Sequence, residues 1–451
     1  MTIADNSWKL SVAPGARPLL GHSKQLRTDP LGFLNSLHEL GDIVVVKFGP
    51  SPVHFLTRHD LAHHVLVERS KEFVRGGPFF ERSVTVMGNG LATSLGDEHK
   101  RQRRLAQPAF HARHLQTYQT VMRDEAEAMT AGWRSGQEID LLKVAHDLTT
   151  KVTLRCFFSS DPNDAKGTET VEEAAAALDQ LVSGMYKQMT APVPALNSLP
   201  TAANRRYKEA VSRFHGAVDR LIADRRRSGE EHDDLLGLLM TAYDDETDTR
   251  FSDGELHDQV ITFLSAGIDT TANMIAWALG LLAENPDARD RFHAEIDGHL
   301  GTGTIADLDV RKLTYTQAVL YEALRLYPPL WTMTREARVP VTLGGHRFAK
   351  GTQFGVSPYA LQHDTRLFRD PERFDPERGE REDVPRTAII PFGTGIHKCI
   401  GDAFAISEGA IVLATIARDW RLDLTPASSP LRPLTLMTLG PASAIMKAIP
   451  R

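Results

Sequence analysis

The chain has 451 residues, 41% hydrophobic and 24% charged, with a formal net charge of −6. A chain of that length can bury a large core without disulfides or structural metals, and the acidic balance excludes a dedicated nucleic-acid binder. Cys156 and Cys399 are the only cysteines; they allow one bridge at most and point to reduced thiols in a cytosol.

The N-terminal stretch MTIADNSWKLSVAPGARPLLGH has no apolar h-region, so it reads as neither signal peptide nor membrane anchor. The longest smooth apolar run, 274–283, is about half of what a bilayer requires. A soluble, cytoplasmic protein is expected, with residues 1–13 as a tail. GDIVVVKFGPSPVHFLT (41–57) predicts two β-branched strands around a Gly-Pro-Ser-Pro turn. From about 97 to 330 the pattern is helical, punctuated by loops at 159–168, 191–200 and 244–250. TLGGHRFAKGTQF (342–354) has hairpin character, with Gly344, Gly345 and Gly351 at turn positions. A proline-punctuated irregular stretch comes next, and a last helix is expected at about 400–418. No Pro/Gly/Ser-rich seam divides the chain. The expectation is one mainly α domain over 14–451, with small β-sheets near both ends.

One helix stands out. Ser252-Asp253-Gly254-Glu255 fits a capping box, and the helical pattern runs on to the Asn285-Pro286 stop, roughly 45 Å at 1.5 Å per residue. Asp269-Thr270-Thr271 falls in its middle, just after Ala266-Gly267. Two readings stand side by side. A helical threonine can bond back to the preceding turn and bend the helix, or the polar group serves chemistry. Gly267 favours the second, because a missing side chain lets something large lie against the helix.

FGTGIHKCIG (392–401) sets Cys399 among Gly393, Gly395 and Gly401, beside His397 and Lys398. A lone cysteine is commonly a buried structural residue. Here the glycines permit a sharp bend and close approach to a flat object, while the following helix and the two basic residues favour a thiolate. Partner thiols for a zinc or iron–sulfur site are missing, and so is a local signature of a Cys/His protease. A single thiolate with an open, glycine-lined face suits one axial bond to a haem iron.

The pattern Phe392, Gly395, His397, Cys399, Gly401 resembles the haem-thiolate signature of the cytochrome P-450 monooxygenases, with His397 where arginine is commoner. Ala405 and Glu408 also match, and Phe404 replaces a usual leucine. AGIDTT (266–271) is similar to the family's central-helix motif, and YEALR (321–325) to its E-x-x-R. The resemblance covers about 14–450 and implies a single cytochrome P-450 fold with haem b between the long central helix and the Cys399 loop.

The same resemblance implies roles for individual residues. Cys399 is the axial ligand. Asp269 is the acid and Thr270 the alcohol that manage protons at the distal face. Ala266, Gly267, Phe392, Gly393, His397 and Gly401 border the cofactor, and His99, Arg103 and Arg335 contact its propionates. Glu322, Arg325 and a third member, Arg378 with Arg373 as runner-up, form a structural triad. The substrate segments 75–90, 181–196 and 330–334 supply Phe79, Phe80, Val86, Met87, Met185, Met189, Trp331 and Met333, with Phe263 from the central helix. Rich in apolar side chains, they point to an apolar substrate and look like those of actinobacterial members that oxidise cyclic sesquiterpenes, with a polyketide, macrolactam or fatty-acid-like substrate as the alternative.

The reaction implied inserts one atom of O2 into a C–H bond. Electrons would come from NAD(P)H through a ferredoxin reductase and a ferredoxin docking on a basic face of His397, Lys398 and arginines of 101–104, with the enzyme a monomer. A haem-thiolate sensor is the rival from another class; it has no need of the Asp269–Thr270 pair, and peroxide-driven relatives usually lack it. Two other patterns carry no site. GTGTIA (301–306) has no strand before it, and His59 and His63 have no carboxylate ligand alongside.

Overall fold

In the computed structural model the β-branched run Ile43–Phe48 pairs antiparallel with Ser51–Leu56, Phe48 opposite Ser51, around a turn in which Gly49 has φ +60°. This is the hairpin that the Gly-Pro-Ser-Pro spacing predicts. The structure describes residues 8–158, 170, 173–174, 176–177, 184, 199–229, 233–301 and 303–451, apart from the side chains of Pro78, Phe79, Arg82, Thr85 and Val86. These residues gather into two units, one formed by the chain up to Glu81 with Tyr321–Cys399, the other by Arg82–Leu320 with Ile400–Arg451.

The first unit is built on a six-stranded sheet. Its order is Leu10–Val12, Ile43–Phe48, Ser51–Leu56, Gln353–Val356, Met333–Ala337, Phe73–Val74. Leu10–Val12 pairs parallel with Ile43–Val45, and Trp8 is buried against Gly344, where any side chain would strike its ring. Residues 8–13 are therefore part of the fold and not the tail expected for 1–13, because an indole and a strand edge together bury more than the short segment loses in freedom. The expected hairpin forms at Val341–Leu343 and His346–Phe348, with Gly344 and Gly345 at φ +53° and +80°.

Helices dominate the second unit. The capping box is present: Ser252 Oγ accepts from the Glu255 N–H, and the Glu255 carboxylate accepts from the Ser252 N–H at 2.8 Å. From it the helix Asp253–Glu284 runs 32 residues to Asn285, and Pro286 opens the next helix. Leu141–Phe158 and Asp402–Asp419 pack against this central helix, the latter close to the predicted 400–418. Strands Trp420–Leu424, Ile445–Pro450 and Glu138–Asp140 make a small antiparallel sheet, and Pro433–Thr435 pairs with Leu439–Pro441 in a hairpin.

The helix Thr314–Leu326 carries Glu322 and Arg325 into the interior of the first unit. Arg325 forks onto the Glu322 carboxylate with Nε and Nη2 at 2.8 and 2.9 Å, and its remaining protons go to the carbonyls of Gln362 and Pro371. Arg378 donates Nε to Glu322 Oε1 at 3.2 Å and Nη1 to Glu382 at 2.8 Å. All three are buried, at 6%, 1% and 4% exposure. Arg373, the runner-up, contributes only its backbone carbonyl, which accepts from both guanidinium groups. Glu322→Gln leaves the buried Arg325 without a counter-charge and Arg378 with Glu382 alone, a loss of ~3 kcal/mol or more. Calorimetry of the variant should show a melting temperature several degrees lower and reduced haem retention. An unchanged melting temperature would mean the triad contributes little to stability.

Candidate active site

Cys399 closes the first unit at the end of a backbone bend. Gly393 and Gly395 have φ +67° and +69°, and a Cβ on Gly395 would come 2.4 Å from the Leu66 carbonyl oxygen. The chain can take this path only with glycine there. The Gly393 N–H donates to Ile390 O, the Lys398 N–H to Gly395 O through the short turn Gly395–His397, and the Cys399 N–H to Phe392 O at 2.9 Å. The result is a thiol that is exposed and held by main-chain bonds on both sides of the bend. Cys156, in the second unit, is the opposite case. It is buried, and desolvation pushes its thiol well above the ordinary range, so it is chemically quiet.

Arg335, on strand Met333–Ala337, is buried, and its Nη1 donates to the Thr334 carbonyl at 2.8 Å. Among the described residues it has no carboxylate partner. Burial alone lowers its pKa to about 10. A buried guanidinium without a protein counter-ion is costly unless an anion arrives from outside the chain. An exposed thiol in a glycine bend and an uncompensated buried cation are the donor set that a haem iron and a haem propionate require, so the residues fit the group.

In the second unit the central helix is continuously α-helical through Ala266–Thr271. The Thr270 hydroxyl donates to the Ala266 carbonyl at 2.8 Å, the back-bonding that a helical threonine offers. Asp269 points elsewhere. Its Oδ1 lies 2.9 Å from His146 Nε2, and its Oδ2 accepts from the Thr438 hydroxyl. A Cβ on Gly267 would meet Thr153 at 3.5 Å, ordinary van der Waals contact. His99 is buried and Arg103 half-buried, one turn apart on the helix Gly96–Ala106. A Cβ on Gly401 would approach Phe110 no closer than 3.8 Å. Glu408 is fully buried with neither carboxylate oxygen bonded, and burial pushes its carboxyl well above the usual range, which keeps it neutral.

The residues assigned to the substrate fall into three groups. Phe263 is a core residue, buried with its ring against Phe110 and Phe157. Trp331 and Met333 are partly buried on the sheet of the first unit, and Phe80 and Met87 are half-buried on the helix Pro78–Met87. The side chains of Phe79 and Val86, and both Met185 and Met189, lie outside the described residues. Of the basic residues expected to greet an electron donor, Arg101 is paired with Glu255, and Arg104 forks onto Asp244 at 2.8 Å with Glu246 at 3.1 Å. Two of the expected charges are thus neutralised at home. His59 binds the Thr387 hydroxyl, and among the described residues no cluster suits a metal ion. Sequence reasoning missed His146 and Thr438, which meet Asp269 only through the fold.

Comparison with known proteins gives the arrangement its context. The family model for cytochrome P-450 matches residues 12–448. Cyclooctat-9-en-7-ol 5-monooxygenase of Streptomyces melanosporofaciens is 41% identical over 428 residues, 94% of this chain and 92% of its own. Cyclooctatin synthase of the same organism is 41% identical over 448 residues, 98% and 96% of the two chains. Pentalenene oxygenase of Streptomyces avermitilis is 36% identical over 440 residues, 97% and 96%. A family match over residues 12–448 and relatives 36–41% identical over nearly the whole chain lead to one conclusion: the chain belongs to the cytochrome P-450 family.

Proposed function

We propose that this protein is a haem-thiolate monooxygenase that hydroxylates a cyclic terpene. The observation that carries the proposal is the exposed Cys399 thiol on its glycine bend. Its relatives' names point to the substrate, since they refer to cyclooctat-9-en-7-ol and pentalenene. Residues 14–451 work as one domain, in the cytoplasm and as a monomer, with a ferredoxin and its reductase passing electrons from NAD(P)H. When bound, haem supplies the oxygen chemistry, and thiolate ligation favours O–O cleavage.

The chain's own residues supply the rest. Cys399 is the ligand, presented by main-chain bonds that leave its side chain outward. Arg335, with His99 and Arg103, would neutralise the propionates; for Arg335 a bound anion would remove the cost of a buried, unmatched cation. Phe392, Gly393, His397 and Gly401 would border the cofactor, and so would Ala266 and Gly267. Asp269 exchanges a proton with solvent and Thr270 holds a proton donor beside it. For Thr270 this requires its hydroxyl to leave the Ala266 carbonyl, a rotation about one side-chain bond. Phe79, Phe80, Val86, Met87, Met185, Met189, Trp331 and Met333 give the substrate an apolar surround.

Three outcomes test this reading. The ferrous–CO complex of the purified protein should show the strongly red-shifted Soret band of a thiolate ligand, and Cys399→Ala should lose it; a histidine-type spectrum in the wild type would overturn the assignment. Titrating the ferric protein with pentalenene and with cyclooctat-9-en-7-ol should move the haem to high spin at lower concentration than a fatty acid of similar carbon number does. Tighter binding of the fatty acid would reverse the substrate ranking. Thr270→Ala should bind substrate nearly as well as wild type yet divert electrons to hydrogen peroxide, lowering product per NAD(P)H by about tenfold or more. Unchanged coupling would remove Thr270 from the mechanism.

A further inference from the structure

The Asp269 carboxylate is gripped from two elements. On one side stands His146, from the helix Leu141–Phe158, with Nε2 2.9 Å from Oδ1. One turn further along that helix, the Thr149 hydroxyl donates to the Ile268 carbonyl at 3.3 Å, which fixes the two helices in register beside the acid. On the other side stands Thr438, at the start of the strand Leu439–Pro441, whose hydroxyl donates to Oδ2 and accepts from Asn273 Nδ2 at 2.9 Å. Asn273 and Trp277 follow Asp269 at four-residue intervals, so all three lie on one helix face. Trp277 Nε1 donates to the Leu439 carbonyl at 3.2 Å. The hairpin is thus stitched along the stripe that begins at Asp269.

We propose that His146 and Thr438 are positioning residues for proton delivery, holding the Asp269 carboxylate in a single orientation from opposite sides. The inference rests on the reading of Asp269 as the proton-handling acid. A carboxylate on two rotatable bonds has several orientations, and effective proton transfer demands one of them. Oδ2 has a donor in the Thr438 hydroxyl, and Oδ1 faces the His146 ring nitrogen at 2.9 Å. The His146 side chain is 33% exposed and the Asp269 side chain 19% exposed, so neither member of the pair is sealed from solvent.

The test uses the holoprotein with its ferredoxin system and pentalenene as probe, and reads hydrogen peroxide formed per NAD(P)H consumed. Asp269→Asn is the reference. His146→Ala and Thr438→Val should each raise the peroxide share about three- to tenfold, with pentalenene affinity unchanged. His146→Gln, which keeps a donor near the position of Nε2, should recover most of the coupling. In an Asp269→Asn background neither change should add anything, because residues acting through one group are not additive. A second arm needs no turnover. In the diamagnetic ferrous–CO form with 13C-labelled histidine, the resonance absent from His146→Gln should move in Asp269→Asn, since the ring and the carboxylate are in contact. Wild-type coupling in His146→Ala and Thr438→Val, with Asp269→Asn uncoupled, would sink the positioning claim and leave the acid's role standing. Wild-type coupling in Asp269→Asn itself would remove the acid's role and the inference with it. Should His146→Ala fail to fold, Thr438→Val and the labelled-histidine spectrum decide the matter.

Discussion

A single carboxylate organises the first unit. Glu322 accepts from Arg325, Arg378 and the Asp375 N–H, all away from water. Buried charges are tolerated only when every donor and acceptor is matched, and here the matching runs outward. Arg325 donates to the Gln362 carbonyl; the Gln362 side chain donates to the carbonyls of Leu324 and Arg325 and accepts from the Ile390 N–H at 2.8 Å. The Ile390 carbonyl in turn receives the Gly393 N–H of the Cys399 bend. A chain of hydrogen bonds thus links an ion cluster to the segment that presents the thiol, without a disulfide.

Burial is put to different uses at different ionisable groups. The Glu322 cluster stays charged because the charges meet one another. His363, stacked on Tyr359 with its Nδ1 against the Tyr359 carbonyl, is held neutral, its pKa down to about 3, chiefly by desolvation. Glu408 is neutral for the same reason with the opposite sign. Arg335 cannot easily shed its proton and so remains a cation in search of an anion. Of these buried groups, it is the one whose electrostatics call for a cofactor.

Much of this was legible in the sequence wherever the signal is local. The Ser252–Glu255 box, the Gly344–Gly345 turn and the bend at Cys399 depend on residues within a few positions of one another, and each appears where expected. The family resemblance preferred Arg378 and left Arg373 as runner-up; it is the Arg378 side chain that meets Glu322, while Arg373 gives only its backbone carbonyl. What the sequence hid was pairing across long separations. Nothing near Asp269 announces His146 or Thr438, which lie 123 and 169 residues away. A glycine such as Gly267 states that a side chain is absent, not which neighbour its absence concerns; within the chain that neighbour is Thr153. Trp8 and the strand after it looked like a tail because the strand's partner, Ile43–Val45, lies beyond a long intervening segment.

The stitching of the Pro433–Pro441 hairpin onto Asp269, Asn273 and Trp277 has an evolutionary side. Leu434 and Leu436, which stand before the anchoring residue, are 44% and 45% exposed and can be exchanged without breaking any of the three anchoring bonds. Adding or deleting a residue is different. It would slide Thr438 off Asp269 and Leu439 off Trp277 together, since a one-residue slip in a strand turns every side chain to the other face. Replacing side chains at constant length leaves the anchoring intact, whereas a change of length strains all three bonds at once.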